Sequence, residues 1–369
     1  MDEKSGFYGL GIMKADHIEF KGNFDLDAVR KLYRNKERIQ LYRMIRNTHP
    51  TAVAWGFRYL NYTERREIFK FIQKMDGVGE FLNELDDAIV RELLLTNPPK
   101  QTANIITDLP AEETVDILDN LPNNLSDQIQ KLLKEDEREE VEDVLQYPDE
   151  TAGRIMSTDF IAFDEQLTSE EALAQFKSRA DEAEMPFYIY VINTEDKMVG
   201  VLSLRQMLLA SSNTKLKNFM RKEFISVSPE DDQETVANIV AQYNYLAIPV
   251  MENTGKLIGI ITVDDVIDII REEASEDILK MAGAGEDREI LLKSTWEGAK
   301  TRFPWLLASW FGGVIVLTII GAFESMLSNT IALAAFIPII MGMGGNIGTQ
   351  TSTIFVRGIA TGRVNLNEV

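Results

Sequence analysis

YIYVINTEDKMVGVLSLRQML (residues 188–208) and LAIPVMENTGKLIGIITVDDVI (residues 246–267) are two versions of one phrase. Each opens on a β-rich apolar run and breaks at a turn, Asn193-Thr-Glu-Asp196 in the first and Glu252-Asn-Thr-Gly255 in the second. Each then resumes with another β-rich run carrying a glycine in register, Gly200 opposite Gly259. Such runs bounded by turn residues predict hairpins. Upstream, RIMSTDFIAF (154–163) matches NFMRKEFISV (218–227), aligning Met156 with Met220 and Phe160 with Phe224. Each half reads strand, helix, strand, turn, strand, helix, and the boxes Thr168-x-x-Glu171 and Ser228-x-x-Asp231 are expected to open the first helices. Residues 151–272 are thus an internal repeat of α/β type.

The second phrase runs into DDVIDIIREEASEDILKM (Asp264–Met281), a helix at 3.6 residues per turn. Val266, Ile267, Ile269, Ile270, Ile278 and Met281 supply apolar contacts, and seven carboxylates load most of the remaining surface. Asp264/Asp268, Asp268/Glu272, Glu272/Glu276 and Glu273/Asp277 are like-charge pairs four residues apart, which destabilise a helix. Arg271 and Lys280 alone offset them. Such a helix either lies in open water or holds its carboxylates for something positive.

Nineteen residues without a charge follow from Trp305 to Phe323, and thirty-two more from Ser325 to Val356, separated by Glu324. About 20 apolar residues cross a hydrocarbon core, so two transmembrane helices are expected, at 303–324 and 330–356. Lys300 and Arg302 before them and Arg357 and Arg363 after them place both ends, and everything before residue 302, in the cytoplasm. MDEKSGFYGLGIMKADHIEF at the N-terminus has no apolar core of signal-peptide type. The second helix is unusual for an anchor: Pro338, Gly342, Gly344, Gly345 and Gly348 lie among Asn346, Thr349, Gln350, Thr351, Ser352 and Thr353. Gly344-x-x-x-Gly348 suits close helix packing. Oxygen-bearing side chains beside a glycine-rich break also suit the lining of an ion path.

Upstream of the repeat, residues 39–150 read as short amphipathic helices punctuated by His49-Pro50, Asn97-Pro98-Pro99, Leu109-Pro110, Leu121-Pro122 and Tyr147-Pro148, a superhelical stack. Residues 1–38 carry no clear pattern. The stack ends very acidic, with fifteen carboxylates in residues 108–150 against Lys131, Lys134 and Arg138. The net charge of −21 arises entirely within residues 1–302. That balance argues against nucleic acid, which needs a basic face, and favours cations. Without cysteine, and with His17 and His49 as the only histidines, the chain offers no thiol chemistry and no His-rich metal site. It has no P-loop, no G-x-G-x-x-G, no G-x-S-x-G and no His-based metal motif, so an enzyme is not expected.

The doubled phrase resembles a tandem CBS pair. CBS pairs often bind adenine nucleotides through a Thr or Ser at phosphate and an Asp three residues on at ribose. Thr262-Val-Asp-Asp265 has this form and is equally a capping box for the acidic helix, whereas Ser203-Leu-Arg-Gln206 lacks the Asp. TAGRIM (151–156), GIITVDDVIDIIREEASEDI (259–278) and GMGGNIGTQ (342–350), in that order, make the chain similar to the MgtE family of magnesium transporters and channels over essentially its whole length.

The resemblance implies a multidomain α and α+β membrane protein. Its parts are an N-type helical superhelix (39–150), two CBS domains (151–215 and 216–263), an acidic plug helix (264–281) and a lead-in (282–302). Two transmembrane helices follow, the second lining the pore, and then a cytoplasmic loop (357–369). It implies a homodimer in the cell membrane with five membrane helices per subunit, three of them beyond Val369, so the transmembrane domain here is incomplete. Cytosolic Mg²⁺ would bind among the helical domain, CBS pair and plug and close the gate, and its loss would open it. The metal positions fall on Asp265, Asp268, Glu273, Glu276 and Asp277, on Asp232, Glu234 and the Ala241 carbonyl, and near Glu112 and Glu113. Asn244 stands where the family pattern has an acid. Gly344, Gly345, Asn346, Gly348, Thr349 and Gln350 would line the pore. Two other functions fit part of the pattern: a membrane-anchored CBS regulator binding an adenine nucleotide, and a transporter of Co²⁺, Ni²⁺ or Mn²⁺.

Overall fold

The computed structural model describes residues 25–75, 77–107, 109–179, 185–281, 295–329 and 331–360. Most of the lead-in at 282–302 and of the loop at 357–369 falls outside them. The chain divides into two units, residues 1–236 with 245–263, and residues 237–244 with 264–369.

In the first unit the stack begins at Leu26, within the stretch the sequence left unassigned. Its helices are α1 (Leu26–Arg34), α2 (Arg38–Arg46), α3 (Pro50–Phe57), α4 (Tyr62–Ile72), α5 (Val78–Asn83), α6 (Asp87–Leu94), α7 (Pro99–Ile106), α8 (Ala111–Asp119), α9 (Asn123–Gln130) and α10 (Glu135–Leu145). Proline sets much of the punctuation. Pro50 opens α3, and Pro98, Pro110 and Pro122 are the N-caps of α7, α8 and α9. A proline there removes only an amide that a helix start leaves unpaired. One apolar core runs from Val29 through Phe57, Phe81 and Leu94 to Val144, so each short helix is held by its neighbours.

The repeat follows as α11 (Ala152–Ile155), β1 (Ala162–Asp164), α12 (Ser169–Arg179), β2 (Tyr188–Ile192), β3 (Met198–Ser203), α13 (Leu204–Leu209), α14 (Gln233–Tyr243), β4 (Ala247–Met251) and β5 (Leu257–Thr262). β1 pairs parallel with β2, and β2 pairs antiparallel with β3. β4 and β5 form the matching antiparallel hairpin, where the leading strand of the second half is reduced to a parallel bridge, Val227 to Val250. The Thr168 box is formed: Glu171 Oε2 accepts from Thr168 N at 2.9 Å and Thr168 Oγ1 accepts from Glu171 N at 3.3 Å. The second box is displaced. Asp231 Oδ2 accepts from Ser228 N at 2.8 Å, but this closes a turn, and α14 starts only at Gln233.

The halves interlock. A Cβ on Gly259 would lie 2.6 Å from the sulfur of Met156, and one on Gly200 would lie 2.7 Å from that of Met220. The leading methionine of each half therefore packs on the backbone of the other half's hairpin, which only glycine permits. Backbone bridges between Ser157 and Ile260 and between Val201 and Arg221 run beside these contacts.

In the second unit, α15 (Val263–Met281) precedes α16 (Thr295–Ala322), α17 (Glu324–Asn329) and α18 (Ile331–Ala360). Among the described residues one helix segment, Arg302–Ala322, is long and apolar enough to cross a membrane by length and composition, and none of its most apolar window is buried. α16 contains Pro304 and α18 contains Pro338. α18, 30 residues long, spans roughly 45 Å at 1.5 Å per residue and leaves Met341, Met343 and Ile347 exposed.

Candidate functional site

β5 ends at Thr262, which is fully buried, and α15 starts at the next residue. Val266 and Ile269 are buried in its first turns. Further along, the covered side turns acidic: Glu276 is 6% exposed, and Glu273 and Asp277 are half-buried. Ile267, Ile270 and Ile278 are exposed, contrary to the expectation that all three supply contacts. Periodicity locates the two faces of a helix but does not say which is covered. Burying a carboxylate is costly unless it is paired, and Glu276 pairs with Lys280 one turn on. Asp268, on the exposed side, pairs with Arg271 at 3.0 Å.

The carboxylates expected from the second CBS half sit at the start of α14. Asp232 immediately precedes the helix, and its Oδ1 accepts from Glu234 N at 2.9 Å; both residues are exposed. Ala241 lies in the last turn of α14, where helix carbonyls have no partner within the helix. Asn244 ends the helix with φ +54, a left-handed conformation that asparagine tolerates well. In the stack, Glu112 and Glu113 occupy the first turn of α8, where the helix dipole favours negative charge. Glu112 is buried, and Glu113 lines a cavity of about 730 Å³ with Lys74, Glu80 and Gln101. The expected metal positions thus lie on α8, α14 and α15. Among the described residues no three His, Asp or Glu side chains converge into a metal-binding group.

Arg154 joins the stack to the repeat, a role the sequence did not single out. It is buried and pairs with Asp119 at the end of α8 and with Asp149 at 3.2 Å. Tyr147 lies flat against Gly153, where a Cβ would come within 2.5 Å of its ring. Carboxylates crowd this junction. Partial desolvation, then repulsion from Asp159, Asp136, Glu137 and Asp143, raises the Glu140 carboxyl above its ordinary value. Desolvation likewise raises Asp159.

A cavity of about 280 Å³ opens in the CBS pair, lined by Tyr188, Tyr190, Ser203, Gln206, Arg221 and Tyr245 among others. It adjoins the Ser203–Gln206 segment of the first half, not the Thr262–Asp265 segment that the sequence singled out. Gln206 Oε1 is engaged locally, accepting from Ser203 N at 2.9 Å and from Ser203 Oγ at 3.0 Å. The alternation of Tyr188 and Tyr190 along β2 is a sequence signal from which this cleft could have been read, and it was not used.

Residues 48–150 match the family described as MgtE intracellular N domain, residues 152–213 and 216–272 match the CBS domain, and residues 337–369 match the family described as divalent cation transporter. The magnesium transporter MgtE of Bacillus subtilis (strain 168) is 32% identical over 324 residues, covering 87% of this chain and 71% of that protein. Those of Enterococcus faecalis and Thermus thermophilus are 38% and 34% identical, and the chain spans 53% and 58% of their lengths. A crystal structure of the soluble part of a magnesium transporter matches at TM-score 0.59 and 28% identity, over 68% of this chain and 98% of that one. The cytosolic domain of the Mg²⁺ channel MgtE in complex with ATP matches at TM-score 0.62 and 28% identity, over 66% and 99%. The helical stack, the interlocked CBS pair, the acidic helix and the apolar helices after it are the parts of one kind of molecule, and the chain belongs to the MgtE family of magnesium transporters.

Proposed function

We propose that this chain forms the Mg²⁺ sensor and the first membrane-spanning part of a Mg²⁺ channel or transporter that closes when cytosolic Mg²⁺ binds. The sensor comprises the stack to residue 150, the CBS pair to residue 263 and the plug helix α15. The observation that carries this reading is the covered side of α15, where Glu273, Glu276 and Asp277 take the place of apolar residues. Mg²⁺ is a hard ion that accepts oxygen ligands and keeps several of its waters. Carboxylates of α15, with Asp232, Glu234, the Ala241 carbonyl, Glu112 and Glu113, offer such oxygens. Ions that bind only the closed arrangement shift the population towards it. The working unit is a homodimer, multi-pass in the cell membrane with residues 1–302 cytoplasmic, and Gly344 to Gln350 of α18 line its pore.

ATP is a second ligand on this reading. The CBS cavity suits it chemically: tyrosine rings for the base and the Arg221 guanidinium for phosphate. An amide at Gln206 stands where a carboxylate would take the ribose, so binding is weak.

Reconstitution of this chain together with the membrane helices that complete such a channel, with Mg²⁺ flux measured as Mg²⁺ at the cytosolic face is raised, tests the proposal. Flux that falls as cytosolic Mg²⁺ rises is expected. Flux indifferent to it would overturn the gating, and faster passage of Co²⁺, Ni²⁺ or Mn²⁺ would reassign the ion.

A further inference from the structure

Residues 26–46 oppose the charge of the rest of the chain. Against a net charge of −21 they hold seven cations and two acids, Asp27 and Glu37. Some of these cations are neutralised locally, as Arg30 is by Glu64 at 3.6 Å. Arg34, Lys36 and Arg38 are not: all three are exposed, and among the described residues their side chains make no ion pair or hydrogen bond. Elsewhere in the stack the pattern is different, with Arg58 paired to Asp86, Arg65 to Glu92 and Lys134 to Glu137.

The three cations line one cavity of about 440 Å³ where α1, α2 and α4 meet. Lys36 sits in the connection at φ +59, a conformation uncommon outside glycine. The rings of Tyr33 and Phe71 line the same cavity, with Thr63. Its one acid, Glu67, is paired with Lys70. The volume lies in the range of small-molecule sites, roughly 300–1,000 Å³.

We infer that this cleft binds a small organic phosphate: a phosphate ester held by Arg34, Lys36 and Arg38, with an apolar or aromatic body against Tyr33 and Phe71. A phosphate monoester carries close to two negative charges and accepts bidentate guanidinium bonds, so it suits this set better than a single carboxylate does. The matched N domain begins at residue 48, so α1 and α2 lie before it, and the cleft is distinct from the α8, α14 and α15 carboxylates and from the CBS cavity. The same chemistry is offered by a free phosphorylated metabolite and by an anionic lipid headgroup.

The test titrates the full-length chain in detergent with 1-naphthyl phosphate, followed by its fluorescence, beside the triple variant Arg34→Gln, Lys36→Gln, Arg38→Gln and an Arg221→Gln control in the CBS cavity. Saturable binding that weakens at least tenfold in the triple variant and persists in the control is expected. Binding equal in parent and triple variant, or none that saturates in the parent, would overturn the inference. Should the triple variant melt early, Lys36→Glu alone gives the reading, with the same outcomes. Six-carbon phosphatidic acid below its micelle concentration separates the sources: tighter binding than the naphthyl ester assigns a lipid headgroup, weaker binding a free metabolite.

Discussion

Replacing Asp268 by Asn together with Glu276 by Gln separates ligation from helix stability. The double variant removes three of the four like-charge pairs on α15, each unfavourable by about 0.2–0.5 kcal/mol, so the helix gains about 0.6–1.5 kcal/mol. It also loses the exposed Asp268–Arg271 pair, worth about 0.3–0.5 kcal/mol, and the Glu276–Lys280 pair. These effects nearly cancel, leaving the helix within about 1 kcal/mol of the parent. Each carboxylate that holds a hydrated Mg²⁺ through charge-assisted hydrogen bonds contributes about 1.5–3 kcal/mol, and a factor of ten in midpoint corresponds to about 1.4 kcal/mol. Structures of the soluble part of a magnesium transporter and of the cytosolic domain of an Mg²⁺ channel match 68% and 66% of the chain, and the fragment to test is residues 1–281. Their radius of gyration, followed by small-angle scattering during Mg²⁺ titration at high ionic strength, should fall in the parent and not with matched Na⁺. The double variant should need at least tenfold more Mg²⁺. An unchanged midpoint would falsify the ligation argument, and equal compaction by Na⁺ would reduce the acidic helix to a solvated connector.

Three other outcomes follow from the fold. Gly259→Ala drives a Cβ into Met156 and should destabilise by about 1–3 kcal/mol in urea, with Gly200→Ala similar and neither changing the m-value. Arg154→Gln breaks a pairing whose acid partners are largely exposed, so a loss of about 1–2 kcal/mol is expected rather than the 3–5 kcal/mol of a fully buried pair; a change under 0.5 kcal/mol would remove Arg154 as an anchor. Glu140 and Asp159 have raised carboxyl pKa values in the folded chain, so the folded form holds protons that the unfolded form releases. Their contribution is fully present below the ordinary carboxylate range, near pH 4, and is lost as pH rises through the raised values. Glu140→Gln with Asp159→Asn should flatten that part of the melting temperature–pH profile, and an unaltered slope would argue against the junction as its source.

The repeat was legible because its signals are local: hairpin runs, turn residues, and glycines and methionines that recur at a fixed offset. That Met156 rests on Gly259 and Met220 on Gly200 was not, because the exchange between halves is a tertiary contact that an alignment of the halves leaves unstated. The helix after Ser228 was placed too early. Ser228 and Asp231 have the composition of a cap, but they close a turn, and Asp232, whose Oδ1 accepts from Glu234 N, stands directly before α14. On α15 the sequence separated an apolar from an acidic set without showing that Glu276 is covered and Ile278 is not. Arg154 stands in a phrase that identified the family, yet nothing local marks an arginine as the partner of Asp119, 35 residues earlier.

The reciprocal methionines have a consequence for how the CBS pair fails. Each half lends the other a side chain that its own hairpin has no room to replace, so neither half can open while its neighbour stays whole. Local opening of one hairpin then carries nearly the free energy of opening both. Amide protons in β2–β3 and β4–β5 should exchange with a common protection limit. A ligand held by one half would thereby slow exchange in the other, and the pair would report its occupancy as a single body.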